Sequence, residues 1–263
     1  MSITKENFKA SLPLQYKDIP LYIFDTLDST NTKARQLALE GAPHGTVVIA
    51  AHQTGGKGRL GRSFFSPKDG IYLSIIIRPD FDLSKSVLIT PAAAVAVVDA
   101  IEYVCNVSAS IKWVNDIYVD GKKVCGILSE GVSSHETDKI DTFIIGIGIN
   151  TSTDGFPDDL LEIAGAVEGD YSKGALAAKV VANFLDILCG IDNNDFINSY
   201  RKKSMAIGKT ITVYKGVYRK DPREEIGGRS AKVLDIDDNG GLMVIYTDGS
   251  RETLTSGEIS IRL

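Results

Sequence analysis

Glycines and cationic side chains alternate in one short stretch of the chain, residues 53–62, which reads QTGGKGRLGR. Glycine lets backbone N–H groups come close to a ligand, and lysine and arginine supply charge and hydrogen-bond donors for phosphate or carboxylate. The stretch directly follows an apolar, strand-like run at residues 46–51. We therefore predict a loop at a strand end that binds an anionic ligand. A flexible basic surface loop would have the same composition and is the alternative.

Two well-known nucleotide-binding loops do not explain this stretch. The P-loop string G-x-x-x-x-G-K-[ST] occurs nowhere in the chain. The dinucleotide fingerprint G-x-G-x-x-G is matched in letters by Gly56, Gly58 and Gly61. That fingerprint should lead into a helix, with an acidic residue about 20 positions later. Here it leads into an apolar strand-like run at residues 71–77, so we reject the match.

A second polar group is the sequence KWVND at residues 112–116, followed by Lys123. Asp120-Gly121 between them predicts a tight turn that joins two strands. Pairing across this hairpin would bring Lys123 back near Asn115 and Asp116. The alternative is an ordinary surface ion pair on a hairpin, which contributes little to stability.

A third group is the sequence GIGIN at residues 146–150, at the end of a continuous apolar run that begins at Ile140. Glycines inside a buried strand indicate either a bulge or the close approach of a ligand or another backbone. From spacing alone both interpretations stay open.

Composition and charge limit the classes of protein to be considered. The 263 residues are 43% hydrophobic and 24% charged, as in an ordinary globular protein. A net charge of −5 argues against a nucleic-acid partner. The cysteines, Cys105, Cys125 and Cys189, are far apart and form no CxxC pair, which favours reduced thiols and offers no zinc site. With no signal-peptide core and no apolar run long enough for a bilayer, we expect a cytoplasmic protein without a membrane partner.

Hydrophobic periodicity predicts an α/β region followed by a strand-rich tail. Predicted strands lie at residues 21–24, 46–52, 71–77, 111–114, 117–119, 124–130 and 140–149. Predicted helices lie at about residues 30–41, 84–103, 176–188 and 195–202, the second of them beginning or kinking at Pro91, and one further short helix is expected within 150–169. The tail has five short strands, at residues 210–218, 230–236, 242–246, 251–254 and 259–263, which suit a small barrel. We place the domains at residues 1–205 and 206–263.

In their order along the chain, these motifs resemble those of biotin–protein ligases. The matching segments are DSTN at 28–31, Gln53 with GKGRLGR at 56–62, KWVND, KVCGIL from Lys123, and GIGIN. The likeness runs from about Leu27 to Asn150, and the tail resembles the small C-terminal SH3-like barrel of that family. The resemblance implies an α+β fold, in which a mixed-sheet, class II synthetase-like catalytic domain precedes the barrel.

The resemblance also implies a two-step acyl transfer. Biotin and ATP, with Mg²⁺ present, would give biotinyl-5′-AMP and pyrophosphate. The ε-amine of a lysine on a biotin carboxyl carrier protein domain would then take the biotinyl group, and AMP would leave. The family further points to a homodimer. The first step brings two anions together, which requires cations that neutralise and align them.

Roles for individual residues follow from the resemblance alone. The catalytic residues would be Lys123, Arg59 and Asp116. The biotin-binding residues would be Ser29, Thr30, Asn31, Gln53, Gly56, Lys57, Gly58, Arg59, Lys123 and Gly126. The nucleotide-binding residues would be Arg59, Arg62, Phe64, Asn115 and Asn150. Among these, Ser29, Thr30 and Gln53 would bind the ureido head of biotin, and Phe64 would cover the adenine. The metal ligands stay open.

The chain departs from the family pattern at three positions. Lys57 stands where arginine is frequent, Val114 replaces a usual proline, and Phe64 replaces a frequent tryptophan. About 25 residues precede the first motif, too few for a DNA-binding helix-turn-helix domain, so we expect a ligase that is not a repressor.

Two other functions are alternatives to that of a biotin–protein ligase. A lipoate–protein ligase would share the catalytic fold, but the GKGRLGR string argues against it. A non-catalytic biotin-sensing or nucleotide-binding module should have lost cations, whereas all four predicted ones are present, namely Lys57, Arg59, Arg62 and Lys123.

Overall fold

A seven-stranded mixed β sheet forms the larger part of the chain in the computed structural model, which describes residues 2–133, 140–215, 228–255 and 259–262. Its strands are β1 Leu21–Leu27, β2 Val47–Gln53, β3 Ile71–Ile77, β4 Ser110–Lys112, β5 Asp116–Val119, β6 Lys122–Ser133 and β7 Ile140–Ile149. The order across the sheet is β1-β2-β3-β7-β6-β5-β4. Only the β1–β2 pair is parallel among these neighbours, so the predicted mixed sheet is confirmed.

Helices cover both faces of this sheet. They are α1 Lys5–Ser11, α2 Thr30–Leu39, α3 Ile89–Cys105, α4 Asp158–Leu161, α5 Lys173–Cys189 and α6 Phe196–Lys203. Alternate residues of a strand face opposite sides. In β3, Leu73 and Ile75 belong to the large core cluster with α3 and α5, whereas Ile76 belongs to a smaller cluster with α2. Ser74 alternates with Leu73 and Ile75 and therefore lies on the α2 side of the sheet. It is the serine of a strand whose residues are all buried.

The long apolar helix begins close to Pro91, as predicted. A 3-10 helix at Leu83–Leu88 leads into α3, and Pro91 lies in the first turn, where a backbone N–H has no partner within the helix. Within the described residues, Leu83–Cys105 is the one helical segment long and apolar enough to cross a membrane. Of its most apolar window, 67% is buried inside the fold, as in the core helix of a globular protein.

The tail forms a second, antiparallel sheet of five strands. These are β8 Thr210–Lys215, β9 Arg229–Ile236, β10 Leu242–Tyr246, β11 Arg251–Leu254 and β12 Ile259–Arg262, in the order β11-β10-β9-β8-β12. All five predicted strands are present, although residues 216–218 and 263 lie outside the described residues. The small antiparallel sheet is consistent with the expected SH3-like domain.

Two side chains of the first domain bind the end of β9 and the 237–241 turn that follows it. Trp113 Nε1 donates a hydrogen bond of 2.9 Å to Gly240 O, and Arg201 Nε donates one of 2.7 Å to Ile236 O. Within the turn, Asp237 Oδ1 accepts from the backbone N–H of Gly241 at 2.7 Å. The KWVND segment therefore contacts the C-terminal domain directly.

Helix α1 was not predicted, because its sequence is short and largely polar. It is held by a capping box between Thr4 and Asn7 and by Phe8, whose side chain is fully buried against the core that includes α5. We expect Phe8→Ala to lower the free energy of unfolding by about 3–5 kcal/mol, since it leaves a cavity. Urea denaturation followed by circular dichroism would measure this.

The matched control for Phe8→Ala is Leu14→Ala, because the Leu14 side chain is 86% exposed. This control should change the stability by no more than about 0.5 kcal/mol. Equal effects of the two substitutions would contradict the assignment of α1 to the folded core.

Candidate active site

A cleft of about 190 Å³ opens on the sheet beside the N-terminal end of α2. Its walls come from the α2 start, the 53–64 segment, the β5–β6 hairpin and β7. It is lined by Ser29, Thr30, Asn31, Gln53, Lys57, Gly58, Arg59, Leu60, Arg62, Ser63, Phe64, Lys112, Trp113, Asn115, Asp116, Lys123, Gly126, Ile127, Leu128, Gly146, Ile147 and Gly148. All residues predicted for the site lie in this lining except Gly56 and Asn150. The three motif groups therefore meet in one place.

The glycine-rich segment folds back on itself at the mouth of the cleft. Phe64 N donates to Gly56 O at 2.9 Å, and Gly58 N donates to Arg62 O at 2.7 Å. A Cβ atom on Gly56 would lie 2.3 Å from Phe64 O and 2.5 Å from Ser66 Oγ. Gly56 is thus required by close packing of backbone against backbone, and it supports the lining without belonging to it.

Charge in the cleft has the opposite sign to that of the whole chain. Among the described residues that line it, five side chains are cationic and one, Asp116, is a carboxylate. The cations are Lys57, Arg59, Arg62, Lys112 and Lys123. In a chain of net charge −5, such a local excess of positive charge favours anionic ligands. The alternative interpretation, a basic loop that faces only solvent, is therefore wrong.

Arg59 is a half-buried cation of the cleft lining. Its Nη1 donates to Asn115 Oδ1 at 3.1 Å, and Asn115 Nδ2 donates to Ile127 O at 2.8 Å. Burial lowers the pKa of the Arg59 guanidinium, and the nearby Asp116 carboxylate opposes that shift. Arginine is not deprotonated in proteins, so the guanidinium stays charged.

Lys123 and Asp116 meet across the β5–β6 hairpin, as predicted from the Asp120-Gly121 turn. Lys123 Nζ lies 2.7 Å from Asp116 Oδ1, and the two side chains are 31% and 24% exposed. The pair lines the cleft, so it is more than an isolated surface ion pair. The contact holds the ammonium group at the cleft wall, where a substrate anion could also reach it.

The glycines of β6 and β7 make room for an aromatic ring. Gly126 and Gly148 are cross-strand partners, and a Cβ on Gly148 would lie 2.5 Å from the Phe64 ring. The pairing of β6 with β7 shifts register only between Val132 and Ser133, far from these glycines. The structure therefore excludes a bulge at Gly146 or Gly148, and the groups that come close to these glycines are the side chains of Asn31 and Phe64, not a ligand or another backbone.

The side chains that line the cleft beside α2 are polar and uncharged, and the Glu130 carboxylate contacts them from outside the lining. Gln53 Oε1 accepts from Thr30 N at 2.8 Å, and Gln53 Nε2 donates to Ser66 Oγ at 3.0 Å. Ser74 and Glu130 join this network from β3 and β6, and neither was predicted. Ser74 could have been found, because it interrupts the apolar run at residues 71–77.

Asn150 lies outside the cleft lining, at the end of β7. Its backbone N donates to Val124 O at 2.8 Å, and its Nδ2 donates to Gly165 O at 3.0 Å. Its Oδ1 is buried, and among the described residues it has no hydrogen-bond partner. The predicted contact of Asn150 with a nucleotide base stays a prediction.

The cleft offers few ligands for a metal ion. Among the described residues, no group of three or more histidine, cysteine, aspartate or glutamate side chains is close enough to hold one. Mg²⁺ is commonly bound by one or two carboxylates together with substrate phosphates. Asp116 fits that role, whereas the Asn115 amide oxygen already accepts from the Arg59 guanidinium.

Comparison with protein families identifies two matching segments. Residues 23–150 match the "Biotin/lipoate A/B protein ligase family", and residues 222–262 match the "Biotin protein ligase C terminal domain". The chain therefore combines a catalytic segment of the biotin/lipoate A/B protein ligase family with a biotin protein ligase C-terminal domain.

Individual relatives of this family show how far the likeness extends. A bifunctional ligase/repressor BirA of Bacillus spizizenii is 46% identical over 164 residues, which cover 61% of this chain and 50% of that protein. A biotin--[acetyl-CoA-carboxylase] ligase of Mycobacterium tuberculosis is 28% identical over 246 residues, covering 88% of this chain and 85% of the relative. The chain thus spans about half the length of the BirA relative that it matches.

A solved structure shares the fold over almost the whole chain. The biotin protein ligase of Aquifex aeolicus, solved in complex with biotin and ATP, superposes with a TM-score of 0.75. The superposition covers 92% of this chain and 98% of that one at 24% sequence identity. This likeness establishes the shared biotin ligase fold.

Gly56 tests whether the folded-back loop aligns the cations. We expect Gly56→Ala to lower kcat/KM for pyrophosphate release from ATP in the presence of biotin by about tenfold or more. The added Cβ would clash with a backbone carbonyl, spread the loop and displace Arg59 and Arg62. A coupled pyrophosphate assay would measure the change.

The control for this substitution is Gly55→Ala in the same loop, where the nearest atom to a new Cβ is Asp28 O at 3.4 Å. Gly55→Ala should stay within about twofold of the unmodified chain, since that distance is ordinary van der Waals contact. A Gly56→Ala protein as active as this control would disprove the role of the folded-back loop.

Proposed function

We propose that this chain is an ATP-dependent biotin–protein ligase. It activates biotin as biotinyl-5′-AMP with release of pyrophosphate, and then transfers biotin to the ε-amine of a lysine on a biotin carboxyl carrier protein domain. The observation that carries the proposal is the two-part cleft, with a neutral polar end at Thr30 and Gln53 and a cluster of cations beside it. The relatives named as biotin ligases support it.

In the proposed first step, a carboxylate oxygen of biotin attacks the α-phosphorus of ATP. The bond from that phosphorus to the bridging oxygen of the β-phosphate breaks, and pyrophosphate leaves. Both reactants are anions, so their approach is opposed until positive charge surrounds them. Lys123 and Arg59 line the same cleft and would offset this repulsion, while Arg62 would hold phosphate oxygens.

In the proposed second step, the free amine of the carrier lysine attacks the acyl carbon of the adenylate. The C–O bond to AMP breaks with its electron pair, the new amide nitrogen loses a proton, and AMP leaves. A lysine of the carrier arrives as a cation, and Asp116 is the carboxylate of the cleft that would attract and orient it. Mg²⁺ would be held by Asp116 and the phosphates of ATP, where it would neutralise phosphate charge.

Lipoate is the alternative substrate for the same fold, and the polar end of the cleft argues against it. The dithiolane ring of lipoate has no N–H or carbonyl group, so it would make no hydrogen bond with the second proton of Gln53 Nε2, the one not donated to Ser66. A site built for hydrogen bonds discriminates strongly against ligands that lack them. The ureido ring of biotin offers both donors and an acceptor.

We also propose a cytoplasmic location and a homodimer. Free thiols at Cys105, Cys125 and Cys189 support the location, because a reducing compartment keeps cysteines unpaired.

Size-exclusion chromatography with light scattering would test the oligomeric state. A monomer at micromolar concentration would contradict the proposed homodimer.

Incubation of the chain with biotin, MgATP and a biotin carboxyl carrier domain tests the activity. Intact mass spectrometry should show the carrier gaining one biotinyl group, only when ATP is present. A carrier whose target lysine is replaced by arginine should gain none, and lipoate should not replace biotin. A carrier that stays unmodified with biotin would contradict the proposal.

The role of Lys123 can be separated from general charge effects by comparing it with Lys122. We expect Lys123→Ala to reduce the rate of biotin-dependent pyrophosphate release by about 100-fold or more, since a cation that offsets developing charge is lost. Lys122→Ala removes the same charge from an exposed side chain whose Nζ donates to Leu161 O at 3.1 Å. It should stay within about threefold, and similar losses in both variants would refute the assignment.

A further inference from the structure

The Asn31 amide at the polar end of the cleft is held between two strands. Asn31 Nδ2 donates to Glu130 Oε2 of β6 at 2.6 Å, and Asn31 Oδ1 lies 2.6 Å from Ser74 Oγ of β3. Space for this amide comes from Gly146, where a Cβ would lie 2.2 Å from Asn31 Oδ1. An ionised carboxylate can only accept hydrogen bonds, so Glu130 requires the donor end of the amide and turns the oxygen end toward Ser74.

The orientation of the Asn31 amide also sets the direction of the hydrogen bond between Ser74 and Thr30. The Ser74 hydroxyl has one proton, and its oxygen lies 2.6 Å from Asn31 Oδ1 and 2.8 Å from Thr30 Oγ1. Because an amide oxygen carries no proton, Ser74 must donate to Asn31. Ser74 is fully buried, and Asn31 and Thr30 are 4% exposed, so water does not replace these partners.

The consequence is that Thr30 has no proton left for a ligand. Because the one proton of Ser74 is donated to Asn31, the 2.8 Å contact between Ser74 Oγ and Thr30 Oγ1 requires Thr30 to donate to Ser74, which is closer than Gln53 Oε1 at 3.1 Å. Toward the cleft, Thr30 Oγ1 therefore presents a lone pair. Gln53 Oε1 is fixed by Thr30 N, so Gln53 Nε2 keeps one proton besides that donated to Ser66. The polar end offers one acceptor beside one donor.

We propose that Glu130 is a positioning residue that makes Thr30 a hydrogen-bond acceptor, and that the site thereby selects a ligand with an N–H group next to a carbonyl. A cyclic urea has this pattern, whereas a cyclic carbamate with ring oxygen in place of that N–H does not. The inference rests on the proposed function, because it takes the ureido ring of biotin as the group at this end of the cleft. Glu130 acts through Asn31 and Ser74 and lies outside the lining.

The test uses the full chain and isothermal titration with biotin and with the two cyclic carbamate analogues in which one or the other ring N–H is replaced by oxygen. The unmodified chain should bind at least one analogue about 100-fold more weakly than biotin. Glu130→Gln offers donors as well as an acceptor, so the Asn31 amide can turn over and Ser74 can donate to Thr30. This variant should bind biotin about tenfold more weakly and lose about tenfold of the discrimination.

Removing the Ser74 hydroxyl distinguishes an effect of Glu130 that acts through Asn31 and Ser74 from a general structural effect of the substitution. Once Ser74→Ala has broken the connection, adding Glu130→Gln should change biotin affinity by less than about twofold. In each background, adding Glu130→Gln should leave the KM for ATP and the unfolding temperature near the values measured without it. Glu130→Ala, which also frees the Asn31 amide, should repeat the result in the presence of Ser74, and Glu162→Gln is the control for loss of one exposed carboxylate.

Each outcome bears on one proposal. Unchanged biotin affinity in Glu130→Gln, an equal loss with and without Ser74, or a parallel loss of ATP binding would overturn the role of Glu130. Absence of biotin binding by the unmodified chain would instead overturn the proposed function.

Discussion

The structure depends on keeping several like charges close together in an otherwise acidic protein. Two unit charges at 4 Å repel by about 4 kcal/mol at a protein surface, so a cleft lined by five cations needs support. Asp116 supplies the opposite charge beside Lys123, and Asn115 holds the Arg59 guanidinium. Two bound anionic substrates would neutralise the remaining positive charge of the cleft. The cleft is thus electrostatically suited to bringing a carboxylate and a nucleotide phosphate together.

The fold assembles the cleft through close contacts at glycine positions. Gly56 lets the cationic loop fold onto the backbone at Phe64, and Gly126 and Gly148 let the Phe64 ring lie on the sheet. Gly146 leaves room for the Asn31 amide. The second domain takes part as well, since the Trp113 indole that lines the cleft donates to Gly240 O. Glycine positions, rather than polar ones alone, therefore define the shape of the site.

Much of the fold could be predicted from the sequence because its signals are local. The Ile71–Ile77 strand, the start of α3 near Pro91 and the strands of the tail follow from periodicity and turn residues. The Lys123–Asp116 contact was predicted because a hairpin joins the two residues. Helix α1 was missed because Phe8 finds its partners on elements far away in the chain.

The hydrogen bonds that join Asn31 to Glu130 and Ser74 could not be predicted from the sequence either. Asn31 and Glu130 are 99 positions apart, and no local pattern places α2 over β6. The predicted roles of individual side chains, including Phe64 and Asn150 near the nucleotide, came from resemblance alone and stay predictions.

The most direct test of the account follows oxygen atoms through the reaction. Biotin with isotopically labelled carboxyl oxygens would be converted in the presence of ATP and a carrier domain, and the products would be analysed by mass spectrometry. If the biotin carboxylate attacks the α-phosphorus inside the cationic cleft, AMP will carry one labelled oxygen and pyrophosphate will carry none. Unlabelled AMP, or label in phosphate derived from the β- or γ-position, would contradict the account.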